Sequence, residues 1–167
     1  MKKLLLVTLL FIIFIPNIQA QSSADKAKAK FIYNFTTFFE WPESDRSGDF
    51  VISVIGSRSL YRALDNYTQN RNVITQPIKV VHYRNPEEVE SAHMVYISES
   101  KTSSISEVQQ RLGKNTLIIG DSPKGLQYGA ALNFVLQGDR LHFEFSEENA
   151  QKTGLNYSSR LKELAAN

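Results

Sequence analysis

Short apolar runs rich in β-branched residues alternate with helix-like segments along most of the chain. Four such runs lie at 50–55, 78–83, 94–97 and 116–119. Runs of this length and composition are typical of strands buried on both faces of a sheet. Because helical segments separate them, the pattern predicts a parallel sheet with helices on both faces.

Helical segments fill most of the intervals between these runs. The predicted helices span 25–39, 59–70, 104–112 and 158–166, with a short one near Pro86. The first carries phenylalanines at every fourth position, which gives it an apolar packing face. Trp41-Pro42 ends this helix, because the residue before a proline avoids the α region. Ser59 is the expected N-cap of the second helix.

The alternation changes near the C-terminus, where two β-like runs lie close together. Residues 130–136 and 140–145 are separated only by Gln137-Gly138-Asp139, a spacing that predicts a hairpin. The expected fold class is therefore α/β: a Rossmann-like sheet, mainly parallel, with helices on both faces and an antiparallel C-terminal hairpin.

The start of the chain has the organisation of a secretory signal. Two lysines precede an apolar run at 4–15, and Ala20 offers a small residue for cleavage. A helix of about twelve residues rises only about 18 Å, too short for a hydrocarbon core of about 30 Å. We therefore expect 1–20 to be a cleaved signal peptide and 21–167 to be a single periplasmic domain that does not insert into the membrane.

Charge and cysteine content exclude several kinds of function. The chain has 19 basic and 17 acidic residues, and Lys2 and Lys3 leave with the signal peptide. The mature form is then formally neutral, without the clustered basic charge that nucleic-acid binding requires. The sequence has no cysteine, which excludes disulfides, thiol catalysis, thiolate metal sites and a lipid anchor on cysteine.

Glycines at two predicted strand ends mark a crevice for a small ligand, since ligands of open α/β sheets bind beyond the carboxyl ends of the strands. Turns that need a permissive backbone are the simpler explanation of these glycines. Neither belongs to a dinucleotide-binding or phosphate-binding motif, so no cofactor is expected. The candidate crevice residues are Gly56, Ser57, Arg58, Gly120, Asp121 and Ser122.

The tripeptide at 120–122 also resembles the nucleophile motif of GDS-type esterases, with Asp139 and His142 as a downstream pair. Only twenty residues separate the serine from this histidine, and they must build a strand and half a hairpin. The three histidines lie on different predicted elements, which disfavours a metal site. We therefore expect neither an enzyme nor a metal centre.

Four segments carry a family resemblance through their order and spacing. They are KAKAKFIYNFTTFFEWP at 26–42, FVISVIG at 50–56, NTLIIGDS at 115–122 and LNFVLQGDRLHFEFSEENAQKTGLNYSSRLKELA at 132–165. Together they resemble the YfiR-like family of periplasmic regulatory proteins over essentially the whole mature chain.

The resemblance implies a regulator rather than an enzyme. Members are similar to a repressor that holds a membrane-bound diguanylate cyclase inactive through its periplasmic part and is relieved by an outer-membrane lipoprotein. The implied partners are thus an inner-membrane signalling protein, either a cyclase or a sensor kinase, and an outer-membrane lipoprotein, with a homodimer left open. The best-known member of the family uses disulfides linked to redox state, and such a response is absent from a chain without cysteine.

Exposed aromatic side chains are the expected means of partner binding. The first helix and the segment after it carry more aromatic residues than one docking face requires. The predicted partner-binding residues are Tyr33, Phe38, Phe39 and Trp41, with core packing as the competing role for Trp41. The alternative function is a periplasmic small-molecule receptor that uses the crevice.

Overall fold

The computed structural model describes residues 18–166, with side chains from residue 21 onwards. The strands are β1 (Phe39–Glu40), β2 (Phe50–Ile55), β3 (Asn72–Val73), β4 (Gln76–Tyr83), β5 (Met94–Ile97), β6 (Leu117–Gly120), β7 (Leu132–Gln137), β8 (Arg140–Phe145) and β9 (Asn156–Tyr157). The helices are α1 (Ile18–Phe35), α2 (Arg58–Thr68), α3 (Ile105–Leu112), α4 (Glu147–Thr153) and α5 (Arg160–Leu164).

Seven of the described strands form one sheet in the order β3-β4-β2-β5-β6-β7-β8. The five central strands are parallel, and the edge strands β3 and β8 run antiparallel to their neighbours. Strands β1 and β9 form a separate antiparallel pair. This architecture confirms the predicted Rossmann-like α/β fold and its C-terminal hairpin.

Both faces of the sheet are buried, as its β-branched strands predict. The larger core lies on the face covered by α1, α2 and α5, which contribute Ile32, Leu60 and Leu161. The opposite face is covered by α3, through Ile105 and Val108. The prediction of helices on both faces is therefore confirmed.

Helix α1 ends at Phe35, four residues before its predicted end. The hydroxyls of Thr36 and Thr37 donate to carbonyls three residues earlier, at 2.7 Å each. The backbone N–H groups of the same two residues donate to the same carbonyls, so the α-helical hydrogen bonds end here. Phe39 then pairs with Tyr157 across β1 and β9. The prediction was wrong here because the phenylalanine spacing continues beyond the last helical turn.

Several short elements differ from the prediction. Ser57, not Ser59, caps α2, and its side chain accepts the backbone N–H of Leu60 at 3.3 Å. Strand β3 was not predicted because two residues are too few to show a periodic apolar pattern. Helix α4 was not predicted because its seven residues are mostly polar and also lack such a pattern.

No helix within residues 18–166 is long and apolar enough to cross a membrane. The predicted signal peptide at 1–20 falls almost entirely outside the described residues. The division into a signal peptide and one domain therefore stays a prediction.

Candidate functional site

The strand order places a crevice at the carboxyl ends of the parallel strands. The chain passes from β2 to β4 on one side and then to β5 on the other, so the connections that leave β2 and β5 diverge. Gly56 follows β2 with φ +79°, and a Cβ atom on it would lie 2.2 Å from Ser98 Oγ. Glycine is required here for both the left-handed backbone and the close approach of the two strand ends.

The crevice has a volume of about 500 Å³ and walls of opposite character. One wall is polar and includes Ser57 and Ser98 from the loops after β2 and β5. The other wall comes from β7 and β8 and presents Phe134, Leu136 and Leu141. Such a site suits a ligand that is polar at one end and apolar at the other.

A hydrogen-bonded trio inside the crevice joins α1 to β5 and to the residue that follows β6. Lys28 of α1 forms a mostly buried ion pair with Asp121, and the hydroxyl of Tyr96 donates to the same carboxylate. Burial raises the pKa of Tyr96 well above its usual range, and the negative charges of Asp121, Asp25 and Glu99 raise it further. The tyrosine therefore stays protonated and acts as a hydrogen-bond donor.

Asp25 adds a buried carboxylate to the same crevice. The residue is only 2% exposed, and its Oδ1 accepts a hydrogen bond from Gln21 Nε2 at 3.1 Å. Its Oδ2 has no hydrogen-bond partner among the described residues. Asp25 is buried because the helical period places it in line with Ala29 and Ile32 on the packing face of α1.

The structure divides the six predicted crevice residues. Three of them line the crevice: Gly56, Ser57 and Asp121. Ser122 lines an adjoining recess of about 440 Å³, and Gly120 is buried at the end of β6. Arg58 instead lies near His82 on β4: burial lowers the pKa of this histidine, and the Arg58 charge lowers it further. Arg58 was predicted to line the crevice, but it lies beside β4 instead.

Two of the four predicted partner-binding residues belong to the core. Phe39 and Trp41 are each 4% exposed. Trp41 Nε1 donates to the carbonyl of Asn115 at 3.0 Å, and the indole meets Phe50 edge to face with 4.8 Å between ring centroids. The chain turns inward after α1 to form β1, and both side chains are buried. The prediction that Phe39 and Trp41 lie on an exposed surface was therefore wrong.

Tyr33 and Phe38 are only half-buried. The Tyr33 ring meets Tyr67 of α2 edge to face at 5.8 Å, and the Arg71 guanidinium lies over both rings, 5.1 Å and 4.6 Å from their centroids. We call Tyr33, Tyr67 and Arg71 the tyrosine–arginine patch. Tyrosine and arginine are among the side chains that most often supply binding energy in protein interfaces.

Comparison with known proteins places this fold in a family. The sequence matches the YfiR/HmsC-like family over residues 25–166, a range that holds the patch and all of the crevice lining except Gln21 and Ala24. The chain belongs to the YfiR/HmsC-like family. The family consists of periplasmic regulators of diguanylate cyclases, not enzymes. No curated protein matches the chain.

The esterase-like motif of this YfiR/HmsC-like chain is not assembled as a nucleophile. The Ser122 hydroxyl is buried without a hydrogen-bond partner in the described part of the chain, and the Ser122 N–H donates to Asn133 Oδ1 at 3.2 Å. His142 lies on β8, paired with Val135. A serine nucleophile needs a base within hydrogen-bond reach.

Within residues 18–166, no group of three or more metal-ligating side chains converges. His93 uses both ring nitrogens internally. Its Nδ1 accepts the Val51 N–H at 3.0 Å, which leaves Nε2 to donate to the Asp45 carbonyl at 2.9 Å. The ring also stacks on Phe50 at 4.5 Å, so His93 is a half-buried structural histidine.

Three polar residues of the crevice were not predicted from the sequence: Asp25, Lys28 and Tyr96. One signal was present, since Asp25 is an acidic residue in phase with the apolar stripe of a helix. Tyr96 gave no signal, because a tyrosine inside a buried strand is ordinary. Lys28 was obscured by the lysines on either side of it, Lys26 and Lys30.

Proposed function

We propose that this protein is a periplasmic regulator that binds the periplasmic part of a membrane-bound diguanylate cyclase and holds the enzyme inactive. The YfiR/HmsC-like match over residues 25–166 is the observation that carries the proposal. The signal-like organisation of the first twenty residues supports export. A cyclase is preferred to a sensor kinase as the partner because the family regulates cyclases.

The tyrosine–arginine patch, with Phe38 beside the end of α1, is the proposed contact surface. Its two rings and one guanidinium already contact one another in the free protein. Binding a partner would therefore cost little side-chain conformational entropy. The rings are half-buried and Arg71 is exposed, which leaves apolar and charged area for a partner. An outer-membrane lipoprotein that covers the same surface would release the cyclase.

A cross-linked pull-down of the tagged, exported protein from its own cells tests this proposal. We expect recovery of an inner-membrane protein with a diguanylate cyclase domain, and loss of that protein with Tyr33→Asp. Tyr128→Asp is the matched control, because Tyr128 is 36% exposed and lies beside α3 on the other face of the sheet. Recovery of the tagged chain alone would contradict the proposal.

The second candidate function, a small-molecule receptor, rests on a different observation. The crevice holds a buried carboxylate oxygen, Asp25 Oδ2, that has no hydrogen-bond donor among the described residues.

A further inference from the structure

Carboxylates outnumber cations around the crevice. Among the described residues that line it, Lys28 is the only basic one, and it is already paired with Asp121. Asp25 and Glu99 also line the crevice and add two further negative charges. A cleft with an excess of one sign of charge attracts ligands of the opposite sign.

Within this negatively charged crevice, the buried Asp25 carboxylate has one oxygen that lacks a hydrogen-bond donor among the described residues. The residue is 2% exposed, Gln21 satisfies only Oδ1, and Oδ2 lacks a partner within residues 18–166. A buried polar atom without a hydrogen bond is unfavourable, because it has lost water and gained nothing in return. An N–H donor entering the crevice would supply the missing bond.

We propose that the crevice binds a small primary amine with an apolar body. Asp25 holds the ammonium group, and the apolar part packs against Phe134, Leu136 and Leu141. The volume of about 500 Å³ is that of a typical small-molecule site. Leu136 is 71% exposed at the rim, so a ligand that covers it removes apolar surface from water.

The chain itself is a second source of the same chemistry. If the signal peptide is cleaved after Ala20, the new α-amino group belongs to Gln21, one helical turn before Asp25. The shared interaction is an ammonium group on a buried carboxylate. The experiment must therefore separate a free amine from the amino terminus.

The probe is phenethylamine, titrated calorimetrically into the processed protein. We expect binding that Asp25→Asn weakens at least about tenfold, because a charge-assisted bond is lost. Leu136→Ser should weaken it several-fold, and this exposed position keeps the fold intact even if Asp25→Asn does not. The neutral analogue N-acetylphenethylamine should bind at least about tenfold more weakly. Glu87→Gln, an exposed carboxylate outside the crevice, is the matched control and should leave binding unchanged.

A second protein carries two glycines between Ala20 and Gln21, which move the amino terminus away from Asp25. If phenethylamine binds to the extended protein but not to the processed protein, the result would support the ammonium site and identify the amino terminus as its occupant in the mature chain. Failure of both proteins to bind phenethylamine, or equal binding by Asp25→Asn, would overturn the proposal. No cyclase is present in the titration, so this result is independent of the proposed regulatory function.

Discussion

Replacing Trp41 tests whether this side chain is part of the core or of a partner surface. The indole is 4% exposed, meets Phe50 at 4.8 Å and donates to the Asn115 carbonyl at 3.0 Å. Trp41→Ala removes this burial, leaves a cavity and orphans the carbonyl, so we expect the free energy of unfolding to fall by about 3–5 kcal/mol. That is a large share of the roughly 5–15 kcal/mol typical of a domain. Trp41→Phe keeps a ring but loses the hydrogen bond, and should lower it by about 1–3 kcal/mol.

Urea unfolding followed by far-UV circular dichroism measures these changes. Fluorescence is unsuitable because Trp41 is the single tryptophan of the chain. The midpoint should fall from wild type to Trp41→Phe and again to Trp41→Ala, while Tyr33→Ala shifts it much less. A Trp41→Ala protein that unfolds at the wild-type urea concentration would refute the core assignment and return Trp41 to the partner surface.

Three further changes test the backbone and the crevice. Gly56→Ala should lower the free energy of unfolding by about 2–4 kcal/mol, because alanine at φ +79° is strained and its Cβ would meet Ser98 Oγ; an unchanged melting temperature would contradict this. Ile74→Asn should raise the free energy of unfolding by roughly 1 kcal/mol, and with it the urea midpoint, since the wild-type β-branched residue is 75% exposed and holds φ 56° at the turn between β3 and β4; a lower midpoint would show that Ile74 is not strained. Stability should fall above pH 10.0, because Tyr96 ionises there when unfolded, whereas burial and Asp121 raise its pKa in the folded protein. Tyr96→Phe should lose less stability than wild type between about pH 8 and pH 11, and an equal loss would argue against the raised pKa.

The central strands could be predicted because their burial leaves a direct trace in the sequence. Strands at 50–55 and 94–97 are observed with the predicted bounds, since a strand covered on both faces is built from a short, mostly apolar run rich in β-branched residues. The end of α1 could not be predicted in the same way. Its aromatic period continues into β1, where Phe39 pairs with Tyr157, and this tertiary pairing leaves no trace in the local pattern.

The crevice could be predicted only in part. Gly56 and Asp121 follow strands directly, so the rule for ligands at strand ends identified them. Asp25 and Phe134 come from a helix and from a strand far away in the sequence, and only the packing of α1 over the sheet brings them to the same cavity. The burial of Trp41 likewise depends on Phe50 and Asn115, which no local pattern connects to it.

Cellular cyclic-di-GMP tests the central claim, inhibition of a diguanylate cyclase from the periplasmic side, most directly. The level should rise when the gene for this chain is deleted, return to normal when the exported chain is restored, and stay high when the restored chain carries Tyr33→Asp. Tyr128→Asp should behave as wild type. An unchanged level after deletion, with the cyclase still expressed, would contradict the regulatory function proposed for this protein.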